Sequence, residues 1–150
     1  DEHTAALDPA TAEKVLELTK SIVEEHHLTC MMITHNMGVV AEMADDVAVM
    51  YMGNIVEYGS VEDIFTNPVH PYTRALLHSI PVLGKGRQQQ LEPIRGMTPD
   101  PFHRPRGCQF CPRCDFATKR CEEEMPQEEW LSSGHYARCF HIGEGSVNGK

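Results

Sequence analysis

"MYMGNIVEYGSVEDIFTNPVHPYTRALLHSIP", Met50 to Pro81, decides how this chain folds. It begins inside an alternating run, "DVAVMYMGNIVEYGS" from Asp46 to Ser60, which predicts a β-hairpin turning at Gly53-Asn54. Ser60 and Asp63 resemble a capping box, with Asp in place of the usual Glu, and predict a short helix through Phe65. Pro71 suits the first position of another helix. Tyr72, Ala75, Leu76 and Ser79 then give one face, and Pro81 ends it. His70, Pro71 and Tyr72 read as a rigid helix start with Tyr72 packed.

Towards the N-terminus, Asp8-Pro9 is a helix start, because Asp accepts from free amides and Pro is tolerated at the first helical position. Ala12, Val15, Leu16, Thr19, Ile22, Val23 and His26 recur at helical spacing and predict an amphipathic helix from about residue 9 to 26. "LTCMMIT", Leu28 to Thr34, is the nearly continuous apolar run expected of a doubly covered parallel strand, with the polar set Thr34-His35-Asn36 at its end. "MGVVAEMA" reads as a short helix. The succession of helix, buried strand, helix and strand argues an α/β fold. Met31, Met32, Met37, Met43, Met50 and Met52 read as core filling.

Towards the C-terminus, Pro, Gly, Gln and Arg dominate residues 81–106, which read as a linker after a domain at 1–80. A cysteine-rich module follows at 107–141, and a disordered tail is expected at 142–150. The 22 acidic residues against 13 basic give a formal charge of -9, which argues against a general nucleic-acid grip. No apolar run approaches the roughly 20 residues that span a bilayer. The first residues lack the basic and apolar regions of an export signal, so a reducing compartment is expected.

There, clustered thiols bind metal or do redox chemistry. The spacing is C-x2-C-x2-C-x6-C-x17-C over Cys108, Cys111, Cys114, Cys121 and Cys139. Soft thiolates at this density select zinc or an iron-sulfur cluster. The first three match ferredoxin spacing and the fourth does not. His135 and His141 are potential zinc ligands that read more readily as surface histidines. With Trp130 and a few Phe and Tyr as its core, the module needs a staple, so a folding role is expected over electron transfer.

The pieces "DE" (Asp1-Glu2), "AALD" (Ala5 to Asp8) and "ITHN" (Ile33 to Asn36) resemble, in order and spacing, the second half of an ABC-transporter nucleotide-binding domain. The resemblance implies a RecA-like α/β fold, ATP and Mg2+. Asp1 would bind Mg2+ through its water shell, and Glu2 would act as general base on the attacking water. His35 would donate to the γ-phosphate, and Asp8 would lie at a dimer interface in the D-loop. No G-x-x-x-x-G-K-[ST] occurs, so the chain is expected to be a portion of an ATPase that neither binds ATP tightly nor hydrolyses it alone. "LSSGH", Leu131 to His135, is only superficially similar to the family's signature motif, and His3 stands where the family usually has proline.

"NPVHPYT" and the residues around it are similar to the ATP-binding subunits of oligopeptide and dipeptide ABC importers, and "LEPIRGMTPDPFHRPRGCQFCPRC" continues the match into their C-terminal extension. The first 37 residues look more like another ABC branch. By this resemblance the ligands are Cys108, Cys114, Cys121 and Cys139, with Cys111 extra, holding a 4Fe-4S cluster or, alternatively, Zn2+. It also implies transmembrane permease subunits and a second ATP-binding subunit as partners, at the cytoplasmic face of the inner or plasma membrane. The rival expectation is a non-catalytic metal- or cluster-binding interaction module.

Overall fold

A computed structural model describes residues 4, 6–79 and 94–142. Strands β1 (Asp46–Tyr51) and β2 (Asn54–Ser60) pair antiparallel as a hairpin. The turn lies one residue earlier than the sequence suggests: Met52 and Gly53 take φ of 47° and 82°, the two successive positive values of a type I′ turn. The register shifts between Val49 and Met50, so Val56 is an extra residue in β2. That bulge leaves Val56 and Glu57, neighbours in sequence, both buried.

The capping box at Ser60 is formed. Ser60 Oγ accepts from Asp63 N–H at 3.1 Å, the Asp63 carboxylate accepts from Ser60 N–H, and helix α3 runs Val61–Thr66. Helix α4 (Pro71–His78) starts at Pro71 as expected, capped by the ring of His70. Its most buried residues are Pro71, Thr73 and Arg74, whereas Tyr72 and Leu76 of the expected face are half-buried against the core. Ser79 closes the helix; Pro81 and the first half of the linker lie outside the described residues.

The cysteine-rich segment folds onto the same sheet. After a 3-10 turn at Cys111–Arg113 and helix α5 (Lys119–Glu123), strands β3 (Glu129–Trp130) and β4 (Tyr136–Ala137) complete the order β1-β2-β4-β3, antiparallel throughout. One face buries Val49, Glu57 and Ala137 in register, and the other carries Tyr58, Tyr136 and Trp130. The core is Val49, Tyr51, Val56, Ile64 and Phe110, with the Tyr51 ring 4.7 Å from Tyr72 and edge-on to Phe110 at 5.4 Å. The chain divides into compact units at Ala44 and Asp45. The segments 1–80, 81–106 and 107–141 expected from the sequence cut across that division, because β2 and β4 belong to one sheet.

In the first unit, α1 (Pro9–Glu25) is capped by Asp8, which accepts from Thr11 N–H at 3.1 Å. Ala12, Val15, Leu16, Thr19 and Val23 are its less exposed stripe, while Ile22 and His26 face solvent. Residues 28–34 form no strand, contrary to the parallel strand expected of "LTCMMIT". An extended segment with no neighbouring strand leaves its N–H and C=O groups unpaired, so apolar sequence alone does not make it one. Helix α2 (Met37–Met43) follows, capped by Asn36.

Candidate functional site

Of the nucleotide-site residues expected from sequence, Asp1 and Glu2 lie outside the described residues. Asp8 is exposed, and its carboxyl is held below the usual carboxylate range by the hydrogen bonds from Thr11. His35 is exposed in the turn before α2, where Asn36 N–H donates to Thr34 Oγ1 at 3.0 Å and Asn36 Oδ1 accepts from Gly38 and Val39. That turn fixes the backbone on which the His35 side chain is presented.

The thiols are brought together. Cys108, Cys111, Cys114, Cys121 and Cys139 line one recess, with Phe110 and His70 among its walls, and none is in a disulfide. The loop that carries the first four is closed by its own backbone: Cys108 N–H donates to Cys121 O at 2.8 Å, Cys111 N–H to Cys108 O at 3.0 Å and Cys114 N–H to Cys111 O at 3.2 Å. Gly107 allows the closure, since a Cβ there would sit 2.3 Å from Cys121 O. Arg113 ties the loop to the preceding segment, donating to the carbonyls of Arg95 (2.9 Å) and Ile94 (3.2 Å). The last thiol arrives on the segment after β4, where Arg120 stacks on Phe140 at 3.9 Å.

Burial raises the thiol pKa of Cys108 and Cys111, lifts Cys114 to about 11 and Cys139 to about 12, and the neighbouring thiols add to it. At Cys121 the same burial is outweighed by hydrogen bonds from Thr118 and by His141, so its pKa lies below the ordinary thiol value. The four raised thiols are therefore neutral at neutral pH. Gathering them as thiolates needs compensating positive charge. Among the described residues no three His, Cys, Asp or Glu side chains are arranged to hold a single metal ion. The donor chemistry suits a soft metal, but the arrangement is not that of a closed tetrahedral zinc site, where four ligands lie about 2.0–2.3 Å from one ion.

His70, in the recess wall, and Glu57, which accepts from its backbone, are buried polar residues, and the burial of neither was read from sequence. His70 is 1% exposed; its Nδ1 accepts from Tyr72 N–H at 3.0 Å, and the ring also hydrogen-bonds the Arg138 backbone. Burial, and secondarily the Arg74 charge, push its pKa down to about 4, so the ring is neutral. Glu57 is 0% exposed and accepts from three donors: Val69 N–H (2.8 Å) and His135 Nε2 (3.0 Å) at Oε1, and His70 N–H (3.0 Å) at Oε2. His135, read from sequence as a surface histidine, is 3% exposed. The carboxylate needs donors once buried, and these three fill that need.

No described helix is long and apolar enough to cross a membrane. Residues 56–121 match the family described as "Oligopeptide/dipeptide transporter, C-terminal region". The chain is 44% identical over 140 residues to the oligopeptide transport ATP-binding protein AppD of Bacillus subtilis, covering 93% of this chain and 42% of that protein. It is 41% identical over 142 residues to the dipeptide transport ATP-binding protein DppF of Haemophilus influenzae (95% and 43%). Against the dipeptide transport ATP-binding protein DppD of Caldanaerobacter subterraneus it is 40% identical over 145 residues (97% and 44%). The chain thus spans less than half the length of these relatives, and the matches cover 93–97% of it. Identity on this scale, joined to the family match from the second strand of the hairpin to the fourth clustered cysteine, supports reading the chain as the C-terminal portion of an oligopeptide/dipeptide ABC importer ATP-binding subunit.

Proposed function

We propose that the subunit to which this chain belongs hydrolyses ATP to drive peptide import, docked on transmembrane permease subunits at the cytoplasmic face of the membrane and paired with a second ATP-binding subunit. The observation that carries this reading is the 40–44% identity to transport ATP-binding proteins over 93–97% of the chain. In it, Glu2 accepts a proton from the attacking water, and His35 donates a hydrogen bond to the γ-phosphate as charge develops there. Asp1 lies next to Glu2 and would hold Mg2+, which neutralises phosphate charge when bound. Asp8 lies at the D-loop, where its cap on α1 fixes the backbone facing the second subunit. The test is single-turnover hydrolysis by the full-length subunit. Glu2→Gln is expected to abolish turnover while retaining ATP, and a variant that still turns over at the wild-type rate refutes the assignment.

The thiol recess supports a second part of the reading, that Cys108, Cys114, Cys121 and Cys139 hold a metal centre, with Cys111 as a fifth thiol beside them. Convergence of all five on one recess without a disulfide favours it. A 4Fe-4S cluster is the first reading and Zn2+ the alternative, since both are held by clustered thiolates. When bound, such a centre supplies positive charge to the thiolates and a cross-link between distant segments. Iron, sulfide and zinc analysis of anaerobically purified protein distinguishes the two. One zinc and no iron overturns the cluster, and loss of the centre in Cys111→Ser overturns the ligand set.

A further inference from the structure

The recess is built from three separate stretches: the His70-Pro71 wall at the start of α4, the loop from Cys108 to Cys121, and the segment after β4 with Cys139. The middle stretch holds itself together through its backbone hydrogen bonds. The other two meet at the Glu57 carboxylate. Glu57 Oε1 accepts from Val69 N–H and His135 Nε2 and Oε2 from His70 N–H, at 2.8, 3.0 and 3.0 Å, so one carboxylate grips the wall on one side and the turn leading into β4 on the other. The same strand reinforces the second grip, since Arg138 N–H donates to Val56 O at 2.9 Å and Glu57 pairs with Ala137.

We propose that Glu57 is the positioning residue of the cysteine site, a buried carboxylate whose three hydrogen bonds to Val69, His70 and His135 hold Cys139 against the loop that carries the other four thiols. The proposal deepens the metal-centre reading above and rests on hydrogen bonds among the chain's own residues. Glutamine at position 57 would keep the shape of the side chain. It would replace one acceptor oxygen with an NH2 group facing a donor, so at least one of the three bonds must break. His135→Leu removes the third donor while leaving the backbone pair, and His135→Gln retains a donor on a side chain that reaches a similar place.

The experiment is pulsed alkylation of the reduced, chelator-treated full-length subunit with iodoacetamide, with each of these five cysteines followed by mass spectrometry. Cys111, held inside the self-closed loop, is the internal reference. The rate at Cys139 relative to Cys111 is expected to rise about tenfold in Glu57→Gln and in His135→Leu, the loss of one charge-assisted buried hydrogen bond. It should return to the wild-type ratio in His135→Gln. An unchanged ratio in both disruptive variants overturns the proposal. A parallel rise at all five thiols, which general unfolding produces, overturns it too. If Glu57→Gln does not fold, the two His135 variants decide by the same ratio. Metal analysis of the wild-type chain is a separate arm: failure to take up iron or zinc refutes the metal-centre reading, while the alkylation ratio continues to decide the role of Glu57.

Discussion

Replacing Gly107 with alanine would place a methyl group 2.3 Å from the carbonyl oxygen of Cys121 and 2.8 Å from the carbonyl carbon and oxygen of Glu122. All three are backbone atoms, so no side chain can swing aside. The backbone conformation of Gly107 is not the left-handed one, and the constraint is space alone. Relief requires the α5 backbone at Cys121 to retreat by about 1 Å, enough to break the Cys108 N–H to Cys121 O bond of 2.8 Å. Overpacking of this kind costs about 1–3 kcal/mol and the lost hydrogen bond about 1 kcal/mol more, so Gly107→Ala should lower unfolding free energy by about 2–4 kcal/mol. Against a typical total of about 5–15 kcal/mol this is a large fraction. The chain has one tryptophan, Trp130, which packs on Tyr136 at 4.8 Å and so reports on the sheet that the loop joins. Urea unfolding of the metal-free chain followed by its fluorescence gives the measurement. A Gly107→Ala chain within about 0.5 kcal/mol of wild type would refute the argument that close backbone approach requires glycine there.

His70 predicts a pH dependence of the metal-free chain. Its folded pKa of about 4 lies below the ordinary histidine value of 6.5, so between those values the unfolded state binds the extra proton. Stability from this group is complete above about pH 6.5 and lost as pH falls towards 4, by up to about 3 kcal/mol; His70→Asn should flatten that part of the urea-midpoint profile. Ser60→Ala removes the acceptor at the start of α3 and should cost about 0.5–2 kcal/mol in the same assay, and no change would mean that the box contributes nothing net. Among the clustered thiols of the metal-free protein, Cys121 should alkylate first at neutral pH and Cys139, raised to about 12, last; the reverse order would contradict the roles of Thr118 and His141.

Features decided by neighbouring residues were legible in the sequence. The Asp8 cap, the Ser60 box and the Pro71 start each rest on contacts within about one helical turn, and each is formed. The hairpin was legible but its turn was displaced by one residue. Met52 in a left-handed conformation is not a residue that signals a type I′ turn. "LTCMMIT" shows the limit of composition, since a strand exists only with a partner and pairing is not a local property. Glu57 was the least legible. A glutamate in an alternating strand reads as solvent-facing, and its burial depends on a bulge beside it and on donors 12, 13 and 78 residues away. Its one sequence hint is that Ile55, Glu57 and Gly59 share a parity with inward-facing positions. β3 and β4, two residues each, are too short to show any period.

The pairing of β2 with β4 also orders events in time. The Glu57 to His135 contact closes a loop of 78 residues, an entropic cost of about 4 kcal/mol that local contacts do not share. On a ribosome adding about 5–20 residues per second, the hairpin and its carboxylate emerge several seconds before the histidine that completes the site. For that interval Glu57 lacks its last donor and Cys139 has not been made. A nascent chain can therefore gather four thiols before the fifth exists, and any site that includes Cys139 can be completed only after that residue has emerged.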